Sequence, residues 1–224
     1  MWVLITTAGG SKRFKAEGYT KSKALLNLRS PEGVEDLMIN HVRRSIPEGH
    51  NILIAHTEKY FPLQPHDFRV YLPSTVGQAD TILQTLAELP PDKPIIVLDC
   101  DTILEQRDIK VLIDSLQIYD VTLAVTETFD PNASRVDQVP FPTLFVEKEP
   151  LSQWGIIGAR GFSDIGLLTY ALQRTMGECR HDGTEPYLSM AMNHYTGSKF
   201  AHVIDTYVDL GTPERVRNAG WEIL

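Results

Sequence analysis

A glycine turn and two basic residues near the start of the chain are suited to bind phosphate. The turn comes directly after an apolar run and consists of Ala8, Gly9, Gly10 and Ser11. Small residues let backbone N–H groups approach phosphate oxygens, and glycine permits the backbone angles that this requires. Arg13 and Lys23 follow the turn. The segment matches neither a P-loop nor G-x-G-x-x-G, so taken alone it also fits an ordinary turn beside solvated lysines.

Basic residues are concentrated around this turn although the chain as a whole is acidic. The net charge is −8, which argues against nucleic acid as a partner. The basic residues of the region are Lys12, Arg13, Lys15, Lys21, Lys23, Arg29, Arg43 and Arg44. A local positive potential where a strand meets a loop favours binding of a triphosphate.

Carboxylates follow two other apolar runs. Asp99 and Asp101 end the run Ile95 to Leu98, and Asp209 follows Tyr207-Val208. Strand alternation places Asp99 and Asp101 on one side of the chain, where a cation or hydrogen-bond donors must offset the cost of burying them. One of the pair could instead cap a turn. Asp209 could begin the next helix, a role that Thr212 fills equally well.

Two further segments have a functional and a plain interpretation. Gly77 and Gln78 begin a predicted helix, whose free N–H groups and small first residue could contact a nucleobase, or simply start the helix. Glu147 and Lys148 end a short strand. They could contact a ligand or form a solvent-exposed ion pair.

Composition predicts an ordinary cytoplasmic protein of one domain. The 224 residues are 42% hydrophobic and 22% charged, with two cysteines, and they suffice for a core without disulfides. The first residues lack the basic region of a signal peptide. No apolar stretch approaches 20 residues, so a membrane partner is not expected.

Strand-like and helix-like segments alternate, which predicts an α/β fold with a doubly wound, mostly parallel, Rossmann-like sheet. The predicted strands are 2–7, 51–56, 95–98, 121–126, 143–147, 154–159 and 201–205, and the predicted helices are 34–45, 78–89, 108–119, 163–176 and 185–195. A loop is predicted over 129–142, which contains three prolines. The rhythm changes after Thr126, so about 1–126 and 127–224 are expected to form two halves of a single domain.

In this order the segments resemble the sugar-1-phosphate nucleotidyltransferase family, which has a GT-A-like fold. The resemblance runs from Val3 to about Ala219. Its motifs are one opening signature (the loop Ala8 to Phe14 followed by Ser22-Lys23), then Gly77-Gln78-Ala79, Leu98 to Leu104, Glu147-Lys148, Gly158 and Asp209 to Pro213. Six matches in the right order carry it. It implies a nucleotide-binding first half and a small acceptor-binding lobe in the second.

The resemblance also implies a role for each matched residue. Arg13 and Lys23 would contact phosphates, and Asp101 would be catalytic with them. Asp101 and Asp209 would bind Mg²⁺, the expected cofactor. The nucleotide would lie against Ala8, Gly9, Gly10, Ser11, Gly77, Gln78 and Asp99. The acceptor would lie against Glu147, Lys148, Gly158 and Arg160, the last of which stands where the family commonly has tyrosine.

The implied activity is transfer of a nucleoside monophosphate from an NTP to a phosphorylated small molecule, with release of pyrophosphate. The acceptor would be a sugar 1-phosphate in surface-glycan or capsule precursor synthesis. Ser11, Ser22 and Tyr207 depart from the family's glycine, proline and tryptophan. Three alternatives stay open: a cytidylyltransferase acting on a non-sugar phosphate such as phosphocholine, a GT-A glycosyltransferase that uses a nucleotide sugar with Asp99-Cys100-Asp101 as metal motif, and a non-catalytic nucleotide-binding regulatory subunit.

Overall fold

The computed structural model describes residues 1–65 and 67–224. Its strands are β1 (Trp2–Thr6), β2 (Asn27–Arg29), β3 (Glu35–Leu37), β4 (Asn51–His56), β5 (Phe68–Tyr71), β6 (Ile95–Asp99), β7 (Thr102–Leu104), β8 (Val121–Glu127), β9 (Ser134–Val136), β10 (Phe145–Glu147), β11 (Trp154–Phe162), β12 (Lys199–Val203), β13 (Tyr207–Asp209) and β14 (Glu222–Ile223). Its α-helices are α1 (Lys12–Ala16), α2 (Met38–Arg43), α3 (Gln78–Leu86), α4 (Gln106–Ser115), α5 (Ile165–Asp182), α6 (Leu188–His194) and α7 (Pro213–Asn218).

The central sheet has the strand order β5-β4-β1-β6-β11-β8-β12, with β9 paired to one end of β11 and β10 paired to β9. The pairs β5–β4, β4–β1, β1–β6 and β8–β12 are parallel. Strand β11 runs antiparallel to both of its long neighbours, β6 and β8. The predicted α/β class and mostly parallel sheet are therefore confirmed. Strand β11, and β10 at the end of the sheet, run opposite to the other strands, which the sequence pattern did not indicate.

The sheet is covered on both faces, because its central strands carry apolar side chains on each face. In β1, Leu4 belongs to the cluster that contains side chains of α3, α5 and α6. Its neighbours Val3 and Ile5 belong to the opposite cluster, with side chains of α2 and α4. Each of these three side chains has no exposed surface, and burial of such a side chain contributes roughly 1.5–3 kcal/mol. Doubly wound packing follows from this arrangement.

The second half of the chain completes the same sheet. Strand β11 lies between β6 and β8, and β12 extends the sheet beyond β8. Strand β13 instead pairs with β7, opposing Asp209 to Thr102, and the Leu210 N–H donates to the Asp101 carbonyl at 2.7 Å. This small antiparallel pair brings the end of the chain back to the carboxyl end of β6.

Two predicted segments are wrong in part. The helix predicted over 34–45 begins only at Met38, because Glu35–Leu37 pairs with Asn27–Arg29 in a hairpin. Gly33 makes the turn with a φ of 83°. The loop predicted over 129–142 contains β9. This strand forms because β10 supplies its backbone hydrogen-bond partners, and the sequence of the segment itself has no strand pattern.

Cys100 and Cys179 are buried free thiols, as expected for a fold that needs no disulfide. Within residues 1–65 and 67–224, no helix is both long enough and apolar enough to cross a membrane.

Candidate active site

The candidate site lies where the central strands end. Thr6, the last residue of β1, is in register with Asp99, the last residue of β6, so the chain leaves both strands at the same edge of the sheet. Ligands of open α/β sheets bind at this edge. Two cavities of about 640 and 250 Å³ open here, and both are lined by Lys23, Asp99 and Asp101.

The larger cavity lies between the glycine turn and the start of α3. Its volume falls in the range of ordinary small-molecule sites. Besides the shared residues, its walls include Ala8, Gly9, Gly10, Lys12, Thr75, Gly77, Gln78, Arg160, Glu185 and Tyr187. The structure thus brings the two segments that were expected to hold a nucleotide onto one cavity.

The smaller cavity lies between the two expected metal ligands and the second half of the chain. Its walls include Arg13, Thr102, Thr128, Asp130, Asn132, Gly158, Tyr207, Asp209 and Arg215. This cavity therefore brings together four predicted site residues that are up to 196 positions apart in the 224-residue chain: Arg13, Lys23, Asp101 and Asp209. Gly158 lies here too, with a φ of 50° and with Thr102 where a side chain would stand.

Ser11 has a specific structural role in the turn. Its backbone adopts a φ of 50°, the left-handed region that glycine enters at no steric cost, which accounts for the glycine that is usual at this position. Its hydroxyl oxygen accepts a hydrogen bond from the Lys23 N–H at 2.9 Å. The serine therefore ties the turn to the residue that carries the ammonium group of the site.

Lys23 and Asp101 form an ion pair on the wall that the two cavities share. Burial alone would lower the pKa of Lys23, but the charge of Asp101 and its neighbours raises it above its usual value. Burial alone would raise the pKa of Asp101, and Lys23 more than reverses this effect, so the pKa of Asp101 is lowered. Both groups are therefore charged at neutral pH.

Asp101 and Asp209 converge on Gly211. A Cβ at Gly211 would stand 3.1 Å from an Asp101 carboxylate oxygen and 3.0 Å from an Asp209 oxygen. Burial raises the pKa of Asp209, and the charge of Asp101 adds to this, while the Gly211 N–H and the Arg215 guanidinium oppose it. Two carboxylates that face the same small residue at this range are suited to share a cation, although Lys23 and Arg215 already pair with them.

The donor set fits Mg²⁺ in the form that nucleotide enzymes use. Among the described residues, no group of three or more His, Cys, Asp or Glu side chains is placed to hold a metal ion. Mg²⁺ commonly takes one or two carboxylates and completes its shell with water and substrate phosphates. Asp101 and Asp209 would supply the protein's share of that shell.

Asp99 is held by two polar partners from other elements. Its carboxylate accepts from Arg160 at 2.5 Å and from the Gln78 amide at 2.8 Å. The Arg160 side chain is only 7% exposed, so Asp99 balances a nearly buried charge. Arg160, expected on the acceptor side, lies on the wall of the larger cavity. The pair Asp99–Arg160 forms a rigid polar wall beside Gln78.

Within the described chain, Glu147 and Lys148 do not line either cavity. The Glu147 carboxylate accepts hydrogen bonds from the hydroxyls of Ser134 and Ser189. The Lys148 ammonium lies 4.2 Å from the ring centre of Tyr187 and 2.5 Å from its hydroxyl. Glu147 thus links the end of β10 to β9 and α6, and Lys148 positions a tyrosine that lines the larger cavity.

Several residues on the cavity walls were not singled out from the sequence. They are Asp130, Asn132, Glu185, Tyr187 and Arg215. Arg215 carried a weak signal, since it follows three residues after the Thr212 cap whose hydroxyl accepts the Arg215 N–H. The others lie in loops or at the end of a loop. There neither the spacing of apolar residues nor secondary-structure propensity predicts where a side chain lies in the fold.

Solved nucleotidyltransferase structures have this fold. The nucleoside-diphosphate-sugar pyrophosphorylase from Vibrio cholerae RC9 is similar with a TM-score of 0.78 at 20% identity, over 98% of this chain and 99% of that chain. The UTP-bound UGPase from Acinetobacter baumannii gives 0.71 at 16%, over 97% and 91%. The inositol-1-phosphate CTP transferase from T. maritima gives 0.72 at 13%, over 96% and 90%.

No family model and no curated protein matches the sequence. The structural likeness spans nearly the whole chain in each comparison, so it confirms the nucleotidyltransferase-like fold that the motifs suggested.

We predict that Asp99→Asn destabilises the protein, because it leaves the buried Arg160 guanidinium without an ionised partner. Loss of a hydrogen bond to a charged group at this partly exposed carboxylate should cost about 1–2 kcal/mol. Urea unfolding at pH 7 measures the change.

The matched control is Asp92→Asn. Asp92 pairs with Lys93 on the surface, where the two side chains are 72% and 53% exposed, and its loss should leave the urea midpoint unchanged. Equal stability of the two variants would show that Asp99 does not hold Arg160.

Proposed function

We propose that this protein is a nucleotidyltransferase that transfers a nucleoside monophosphate from an NTP to a phosphorylated small molecule. One observation carries the proposal: Lys23 and Asp101 lie on the wall that two cavities share at the carboxyl edge of the sheet, and Arg13 and Asp209 line the smaller cavity beside them. Two cavities that share a charged wall suit a reaction between two anionic substrates. The fold shared with solved nucleotidyltransferases supports it.

The larger cavity is assigned to the nucleotide. Gly9, Gly10 and Lys23 all line this cavity, so a glycine turn and an ammonium group border the same space. Gly77 and Gln78 lie on the far wall and would contact the base. The smaller cavity, bounded by Gly158, Asp130 and Asn132, is assigned to the acceptor.

The reaction requires positioning more than acid–base chemistry. A phosphate oxygen of the acceptor, already ionised at neutral pH, bonds to the α-phosphorus, and the bond from that phosphorus to the β-bridging oxygen breaks. Pyrophosphate leaves with the electron pair. Lys23 would stabilise charge on the α-phosphate and Arg13 charge on the leaving pyrophosphate, and such preorganised charges are the largest common source of catalysis.

Asp101 and Asp209 would hold Mg²⁺, which supplies charge neutralisation at the phosphate oxygens when bound. For the acceptor we favour a sugar 1-phosphate, since the polar walls of the smaller cavity offer partners for hydroxyl groups. A place in surface-glycan precursor synthesis is supported only by the spacing of the loop from Gly9 to Lys23.

A pyrophosphate-release assay tests the proposed activity. The purified protein with Mg²⁺ is combined with each of the four common NTPs and with hexose 1-phosphates, inositol 1-phosphate, glycerol phosphate or phosphocholine. We expect release that requires both substrates in at least one combination. Release of a nucleoside diphosphate from a nucleotide sugar would indicate a glycosyltransferase instead. Folded protein that is silent in every combination would contradict the proposal and favour a regulatory subunit.

We predict that Asp101→Asn lowers turnover at saturating Mg²⁺ by about 10²–10³-fold, a loss typical for removal of one transition-state contact. The control is Asp114→Asn, whose carboxylate is 62% exposed and pairs with Lys110 on the surface of α4. It should keep turnover within about twofold. Circular dichroism checks that both variants fold. Near-normal turnover of Asp101→Asn would remove Asp101 from the catalytic set.

A further inference from the structure

Arg215 makes contacts that the proposed reaction does not explain. It lies on α7, and its guanidinium bridges two carboxylates through different nitrogen atoms. Nη1 donates to Asp209 and Nη2 donates to Asp130. One oxygen of Asp209 therefore carries Arg215, and the other accepts the Gly211 N–H at 2.8 Å. In this arrangement a cation already occupies one side of the carboxylate that would bind a metal.

The two cations of the site are held to different degrees. The Lys23–Asp101 pair has side chains that are 22% and 15% exposed, and the N–H of Lys23 is tied to Ser11. The Arg215–Asp209 pair is more open, at 39% and 31%. Ion pairs near the surface contribute little to stability, so this pair can be exchanged at small cost.

Helix α7, which carries Arg215, is held in place by contacts that do not involve the Arg215 side chain. Pro213 and Val216 on α7 are buried, and Val216 packs with Phe14, Leu28 and Trp221. The Thr212 hydroxyl accepts the backbone N–H of Arg215. The guanidinium can therefore leave Asp209 while α7 stays in place and while Nη2 keeps its contact with Asp130.

We propose that Arg215 is an internal counter-ion of Asp209 and that a divalent cation displaces it from this carboxylate. Without the cation, the guanidinium balances Asp209 beside the like-charged Asp101. When a divalent cation enters between the two carboxylates, Arg215 releases Asp209 and keeps Asp130 as its partner. The proposal rests on the proposed function, because the displaced guanidinium lines the smaller cavity, to which that function assigns the acceptor.

A Mn²⁺ titration without nucleotide tests this exchange. Free Mn²⁺ is measured by electron paramagnetic resonance at low ionic strength, with the full chain and the variant Arg215→Gln. The neutral amide removes the competing charge and still donates a hydrogen bond. We expect Mn²⁺ binding about three- to tenfold tighter than in the wild type, or binding that becomes measurable where the wild type shows none.

Arg217→Met is the control on the same helix. Arg217 is exposed and pairs with Glu17, away from both cavities, so its loss should leave Mn²⁺ affinity within about twofold. Arg215→Met is the second variant, in case the amide impairs folding. Mn²⁺ should also raise the melting temperature more in the Arg215 variants than in the wild type.

Mn²⁺ binding to Arg215→Gln that is unchanged, weaker or as undetectable as in the wild type would overturn the proposal. A weaker affinity would instead make Arg215 a residue that positions Asp209 as a ligand. The titration needs no turnover, so it is independent of the pyrophosphate assay. Silence in that assay with tighter Mn²⁺ binding here would overturn the proposed function and leave the counter-ion role intact.

Discussion

The site depends on one constraint: four carboxylates gather at the edge of a buried sheet, and each needs an opposite charge. Unpaired charges are costly in such surroundings, and the chain meets the cost with cations from distant segments. Lys23 pairs with Asp101, Arg160 with Asp99, and Arg215 with both Asp209 and Asp130. These partners come from the short 3-10 helix Lys23–Leu25, from β11 and from α7, so only the assembled fold brings three cations to the four carboxylates.

This pairing also explains how the secondary elements are used. Strand β11 runs against its neighbours and carries Arg160 to the end of β6. Strand β13 leaves the main sheet and pairs with β7, which brings Asp209 beside Asp101. The reversed strand β11 and the detached strand β13 both deliver a charged residue to the same edge.

The regular part of the fold could be predicted from the sequence because it depends on local patterns. Apolar runs such as Ile95 to Leu98 predict buried strands, and the helical spacing of apolar residues in α3 predicts a helix. The direction of β11 depends on which strands it pairs with, and β9 forms only through its pairing with β10 and β11. Likewise Asp101 and Asp209 could be chosen as acids after strands, whereas the pairing of Arg160 with Asp99 arises only from tertiary packing. Loop residues such as Asp130 have no period to reveal their position.

The central claim is that two anionic substrates meet where Asp101 and Asp209 converge. A crystal structure with Mn²⁺ and an NTP analogue that cannot be cleaved after the α-phosphate tests it most directly. The account predicts an anomalous Mn²⁺ peak between these two carboxylates, with the triphosphate against Gly9, Gly10 and Lys23. A nucleotide bound away from the glycine turn, or a Mn²⁺ peak that touches neither carboxylate, would contradict it.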